Sequence, residues 1–279
     1  MRLLVVGGSG FLGREIVRQT RRAGHRVAAT FHRRPPSADL GAGVDWHALD
    51  IRIRDDVARV AAMARPDVIV NATYRQSDWA STADGGAHVA HAAVAVAARL
   101  VHVSSDAVFA GAADAYDETC PPDPTTPYGA AKAAAETAVA AITPDAVIAR
   151  TSLIIGYGES VHERHVHALA AGVGTGVLFT DDVRCPVHVA DLAAALRELA
   201  GSPYSGIHHV AGPDAISRHR LGVLIARRDG LDPTALPTGR RAASGVPGPA
   251  ELRLDCARTR DRLTTRLRGA HEFLAAGRS

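Results

Sequence analysis

The chain has 279 residues, of which 32 are basic and 29 acidic, for a formal net charge of +3. That length buries a full core and favours one large α/β unit with an appended lobe over two independent domains. Scattered arginines and lysines argue against nucleic-acid binding, and no run reaches the roughly 20 apolar residues of a membrane span. Cys120, Cys185 and Cys256 are isolated and odd in number, which suits a reducing, cytoplasmic compartment with no disulfide frame.

In chain order, the first half alternates short apolar runs with alanine-rich helical segments, the pattern of a doubly wound parallel sheet of Rossmann type. Strands are expected over 3–6, 26–30, 45–48, 68–71, 100–104 and 147–151. Helices are expected over 11–23, 55–64, 86–98 and 128–140, the first closed by Gly24. The opening apolar run stops at Gly7 with no small-residue cleavage site after it, so it reads as a strand rather than a leader. After Arg150 the regularity weakens. Residues 156–176 are rich in glycine and histidine, 187–199 return to a helical pattern, 207–211 read as a late strand, and 235–249 as a loop or mobile lid. The expected division is a nucleotide-binding domain, 1–152 plus 183–211, and a substrate-binding lobe, 153–182 plus 212–279, folded over the carboxyl edge of the sheet, where such folds bind ligands.

Gly7-Gly8-Ser9-Gly10-Phe11-Leu12-Gly13 follows the first strand and opens the first helix with the spacing GxxGxxG. A tight turn, close backbone approach to a pyrophosphate and a helix start facing its charge all need residues without bulk, so Gly7, Ser9, Gly10, Phe11, Leu12 and Gly13 are placed at a dinucleotide. A merely structural turn is the competing reading. The end of the second strand reads Thr30-Phe31-His32-Arg33-Arg34, without the acid that would hold the ribose hydroxyls of NAD(H). The reading is therefore NADP(H), with NAD(H) second: His32 at the cofactor and Arg33 and Arg34 as ligands of the 2′-phosphate, solvated turn arginines being the alternative. Asp50 and Ile51, at the end of the third strand, are placed beside the adenine.

Tyr128 and Lys132 stand four apart at the start of a helix in Tyr128-Gly129-Ala130-Ala131-Lys132. That spacing puts an ammonium one turn from a phenol, where it is expected to lower the phenol pKa toward neutrality and make it a proton donor. His162, His165 and His167 lack a completing ligand set, so no metal is expected. His88 with His91 and the pair His208-His209 read as core or surface residues, and Trp46 as packing.

These residues, together with Val103-Ser104-Ser105-Asp106-Ala107-Val108-Phe109, Tyr116-Asp117-Glu118, Pro66-Asp67-Val68-Ile69-Val70-Asn71, Arg150-Thr151-Ser152, Pro186 to Leu192 and Leu252 to Cys256, resemble the extended short-chain dehydrogenase/reductase superfamily. Within it the chain is most similar to the dTDP-4-dehydrorhamnose reductase branch, over nearly its whole length. The resemblance implies NADPH-dependent reduction of a ketone, that of a nucleotide-linked 4-keto-deoxysugar, by a cytoplasmic enzyme for which a homodimer is open. It assigns Tyr128 as proton donor, Lys132 as the grip on the nicotinamide ribose and Ser105 as the carbonyl partner, with Ser104 as the alternative hydroxyl. It places Asn71, Ala72, Thr73 and Ser104 at the cofactor, and Tyr74, Trp79 and Arg184 at the substrate, a surface salt bridge being the other role for Arg184.

Sugar-nucleotide dehydratases carry an acidic pair where this chain has Asp106-Ala107, so dehydration lacks one of its two groups. The reductase branch usually has tyrosine at position 107, and Tyr74 to Trp79 also departs from its usual sequence, so the substrate stays open. A sugar-nucleotide epimerase and a non-catalytic NADP-binding partner protein, like the regulatory subunit of methionine adenosyltransferase, are the alternatives.

Overall fold

The computed structural model describes residues 1–36 and 43–275; the last four residues assigned to the lobe, 276–279, lie outside them. The chain runs β1 (Arg2–Val6), α1 (Phe11–Arg22), β2 (Arg26–Phe31), β3 (Asp45–Ala48), α2 (Arg54–Ala64), β4 (Val68–Asn71), a π-helical turn (Ala80–Asp84), α3 (Gly85–Ala95), β5 (Arg99–Ser105), α4 (Pro127–Ile142) and β6 (Val147–Thr151). There follow β7 (Ile154–Ile155), α5 (Val161–Ala170), β8 (Leu178–Phe179), β9 (Val183–Arg184), β10 (Val187–His188), α6 (Val189–Gly201), β11 (Gly206–His209), β12 (Ile216–Ser217), α7 (Arg218–Arg228), β13 (Thr238–Gly239), α8 (Ala257–Arg260) and α9 (Ala270–Phe273).

Seven parallel strands form one sheet in the order β11-β6-β5-β4-β1-β2-β3. Every residue of β4 and β6 is buried, as expected of parallel strands covered on both faces. One face packs on α1 and α6 through Leu12, Ile16, Leu192 and Leu196, the other on α2, α3 and α4 through Val57, Val89, Ala93 and Val139. The order reverses between β1 and β4, and a crevice opens there at the carboxyl ends of the strands. A separate apolar cluster, including Val166, Leu169, Leu178, Leu221, Leu224 and Ile225, joins α5 and α7 beside that edge.

Two helices appear that the composition hides. In α5, Ser160 accepts from the Glu163 amide while the Glu163 carboxylate accepts from the Ser160 amide, a full capping box inside the glycine- and histidine-rich stretch. In α7, Ser217 caps through the Arg220 amide. Conversely, α3 stops at Ala95, short of the expected 98, because Ala97 turns to φ 53 and the chain reverses into β5. The helical pattern expected over 187–199 splits into the short β10 and α6. The stretch 235–249 is largely irregular but tied down: Arg241 donates to the Pro247 and Gly248 carbonyls and to Asp182 Oδ2.

Candidate active site

A cleft of about 1160 Å³ lies along the carboxyl edge of the sheet, between the β1–α1 turn and the α5–α7 lobe. Gly7, Ser9, Gly10, Phe11, Leu12 and Gly13 border it, as do His32, Asp50, Ile51, Ala72, Thr73, Tyr74, Ser104, Ser105, Tyr128, Lys132 and Arg184.

The glycine loop is shaped by contacts that exclude side chains. A Cβ on Gly13 would lie 2.1 Å from the Gly7 carbonyl oxygen, and Gly7 sits at φ 83, where a Cβ would meet Thr73 Oγ1 at 2.6 Å. Gly10 caps α1 without a side-chain bond, and no acid occupies the first turn, so the positive end of the helix is free to face an anion. Thr73 and Thr151 line the same cleft, and their Oγ1 atoms are buried without a hydrogen-bond partner among the described residues. Taken together, the close-packed glycines, the uncapped helix start and the two orphaned hydroxyls fit a bound dinucleotide.

Four of the residues assigned from sequence are not at the cleft wall. Arg33 and Arg34 are exposed past the end of β2, where only His32 turns inward. A cation that does border the cleft here is Arg52, which chelates Asp50 through Nε at 2.9 Å and Nη2 at 2.6 Å and holds the Asp50 carboxyl down to about 2. Asn71 is buried behind the wall, and Trp79 is half exposed outside it, because the π-helical turn that follows brings Ser81 to the cleft instead.

α4 carries the reactive pair. Thr126 accepts from the Gly129 amide at 3.1 Å and Pro127 occupies the first helical position, so the helix begins one residue before Tyr128. A Cβ on Gly129 would lie 2.0 Å from the Ala107 carbonyl oxygen, and this close approach brings Tyr128 against the Ser105 turn. Strand alternation separates the two serines. Ser104 Oγ donates to Glu136 Oε1 at 2.5 Å, whereas Ser105 Oγ donates to Asp106 Oδ1 at 3.1 Å and accepts from the Ala107 amide. Asp106 Oδ2 accepts from Ser152 Oγ at 2.6 Å.

Here the expected electrostatics are corrected. Burial raises the Tyr128 pKa above its ordinary value, helped by Tyr74 and Asp106 and opposed by a hydrogen bond from Ser105. Lys132 does not depress it: its ammonium turns to the Val103 carbonyl at 2.5 Å, and its own burial lowers it to about 8. The two groups are one helical turn apart, but each is shifted first by its own desolvation.

The far end of the cleft is strongly cationic, and sequence reasoning reached only one member of it. Asp182 pairs with Arg184 Nη1 at 2.7 Å, Arg241 Nη1 at 3.0 Å and Arg218 Nε at 3.6 Å. Arg218 also donates to His162 Nδ1 at 3.2 Å; burial first and then this guanidinium lower His162 to about 3, so it is neutral. The signals for Arg218 and Arg241 were a serine-capped helix start and a basic pair in a loop, neither specific by itself. Across the cleft mouth, Arg14 of α1 pairs with Glu159 of the lobe at 2.7 Å. Among the described residues no helix is long and apolar enough to cross a membrane, and no group of His, Cys, Asp or Glu could hold a metal ion.

The sheet order, glycine loop and helix-borne Tyr128 and Lys132 define a Rossmann-type nucleotide-binding protein of the extended short-chain dehydrogenase/reductase kind. The model of the RmlD substrate binding domain family matches residues 1–276, and the chain belongs to that family. It is 31% identical to the dTDP-4-dehydrorhamnose reductase of Mycolicibacterium smegmatis, over 98% of this chain and 84% of that protein. It is also 28% identical to methionine adenosyltransferase 2 subunit beta of Rattus norvegicus, over 92% of this chain and 81% of that one. The crystal structure of the Bacillus anthracis dTDP-4-dehydrorhamnose reductase in complex with NADP superposes with a TM-score of 0.81 at 22% identity, covering 98% of this chain and 96% of that one.

Proposed function

We propose that the protein is an NADPH-dependent oxidoreductase that reduces the ketone of a nucleotide-linked 4-keto-deoxysugar. The observation that carries this reading is the convergence of Ser105, Tyr128 and Lys132 on one cleft with a glycine loop at one end and three arginines at the other. When bound, the reduced nicotinamide supplies the hydride. Tyr128 gives its proton to the carbonyl oxygen as negative charge develops there, and a phenol whose pKa is raised by burial is reliably protonated when that moment comes. Ser105 stabilises the same oxygen by rotating its hydroxyl from Asp106, which Ser152 continues to hold. Lys132 spends one N–H on Val103 and has two left for ribose hydroxyls.

Arg184, Arg218 and Arg241 outnumber the carboxylates Asp182 and Asp106 that face them, which suits the diphosphate of a nucleotide-sugar. With alanine at 107, the position after Asp106 lacks the second carboxylate that dehydration would use, which supports reduction over dehydration. The test is NADPH oxidation, followed by absorbance, against dTDP-4-keto sugars and simple ketones. Turnover of a nucleotide-linked ketone is expected. NADPH binding with no turnover across the panel would favour a non-catalytic partner protein instead.

A further inference from the structure

His102 lies at the middle of β5, fully buried beneath Gly86 of α3 and Ala135 of α4, and the mechanism above does not use it. Its neighbour across the sheet is Asn71, also buried, with Asn71 Nδ2 3.3 Å from His102 Nδ1. Hydrogen-bond logic fixes every atom in this pair. The Asn71 atom facing the Thr73 backbone N–H, at 3.1 Å, must be the acceptor Oδ1. The amide nitrogen then faces His102 as a donor, so Nδ1 must present a lone pair and the ring proton must sit on Nε2. That Nε2–H has no hydrogen-bond partner among the described residues. A core that needed only volume here would be better served by an apolar side chain, because an unpaired buried donor is a net cost.

The beneficiary is the Ala72 to Tyr74 segment, which walls the cleft against the glycine loop. Thr73 packs so closely on Gly7 that a Cβ there would lie 2.6 Å from Thr73 Oγ1 and 3.2 Å from its amide nitrogen. We infer that His102 is a positioning residue: its Nδ1 lone pair orients the Asn71 amide, Asn71 Oδ1 holds the Thr73 N–H, and the cleft wall facing the dinucleotide is thereby set. A protonated or Nδ1–H ring would turn the amide over and aim an NH₂ group at the Thr73 N–H. Burial, with the nearby Lys132 ammonium, lowers the His102 pKa and keeps the ring neutral.

The inference rests on the cleft being a nicotinamide-nucleotide site, and two measurements separate it from that reading. In the wild-type protein without ligand, ¹⁵N NMR of labelled histidine should show His102 as the Nε2–H tautomer; an Nδ1–H tautomer overturns the inference whatever the cleft binds. In the second, NADPH is titrated into His102→Leu and His102→Gln. Losing the acceptor in the leucine variant should weaken NADPH binding about tenfold, with kcat at saturation within about twofold. Glutamine, whose Oε1 can accept from Asn71, should recover most of that affinity even where both variants lose thermal stability. Equal NADPH affinity for the two variants, or affinity unchanged from wild type while only the melting temperature falls, would reduce His102 to a packing residue and overturn it. Where the wild type binds no NADPH, the proposed function fails and the NMR result alone judges the network.

Discussion

Tyr128 and Lys132 are four residues apart, yet the environment sets each one separately. The phenol keeps its proton because it is desolvated, so Tyr128→Phe removes an acid without opening a cavity or a charge. Turnover is expected to fall by about 10² to 10⁴, the usual contribution of a positioned acid, with the NADPH dissociation constant nearly unchanged by titration. Lys132 is lowered to about 8 in the free protein. Its ammonium is therefore present below pH 8 and lost above it, and kcat/KM is expected to decline on the alkaline side with a midpoint near 8. A flat profile through pH 9 would take the ammonium out of the mechanism. The stability sign follows from the same depression. Between about 8 and 10.5 the unfolded chain binds the proton that the folded chain has released, so stability rises with pH across that window. At this scale the glycines, Tyr128 and Lys132 were legible as spacing and type, and Ser105 only through the family resemblance. Arg52, Arg218 and Arg241 were not, because what makes an arginine functional is the wall it borders, and a solvated arginine looks the same in sequence.

Along α4, Glu136 continues the stripe one turn beyond Lys132, and it is the anchor that the helix drives into the sheet. Arg150 of β6, fully buried, meets it through Nε and Nη2 at 3.0 and 2.8 Å, stacks over Phe109 at 4.9 Å and donates to the Cys120 carbonyl. Removing one partner of such a pair leaves the other charge stranded in the core. Glu136→Ala should therefore lower the unfolding free energy by about 3 to 5 kcal/mol in urea titration. Since Ser104 hangs from the same carboxylate, the variant should also lower activity in what remains folded. The repeating strands and helices of the first half were readable because buried parallel strands are continuous apolar runs and the helices between them are alanine-rich. α5 and α7 escaped because histidine and arginine mask their apolar stripes, and the capping serines Ser160 and Ser217 were the only clear marks of where they start.

For the molecule as a whole, the cleft is walled by segments from both ends of the chain, so a ligand that fills it binds the folded state and not the unfolded one. NADPH at about one hundred times its dissociation constant should add about 2.7 kcal/mol to the folding free energy, read as a rise in melting temperature. No rise with NADPH would mean that the glycine loop holds no such nucleotide. The doubly wound parallel sheet and a ligand site at its carboxyl edge were implied by the alternating pattern, whereas the strand order and its reversal between β1 and β4 came only with the structure. The composition of the far wall was not, because Asp182, Arg218 and Arg241 meet only through tertiary folding.

One contact ties the two walls at their rim. Arg14 and Glu159 keep side-chain exposures of 37% and 55%, so water and ions reach the pair freely. A tether of this kind contributes at most about 1 kcal/mol and weakens as salt is added. Breaking that pair is therefore cheap, and added salt should loosen the rim at this point first.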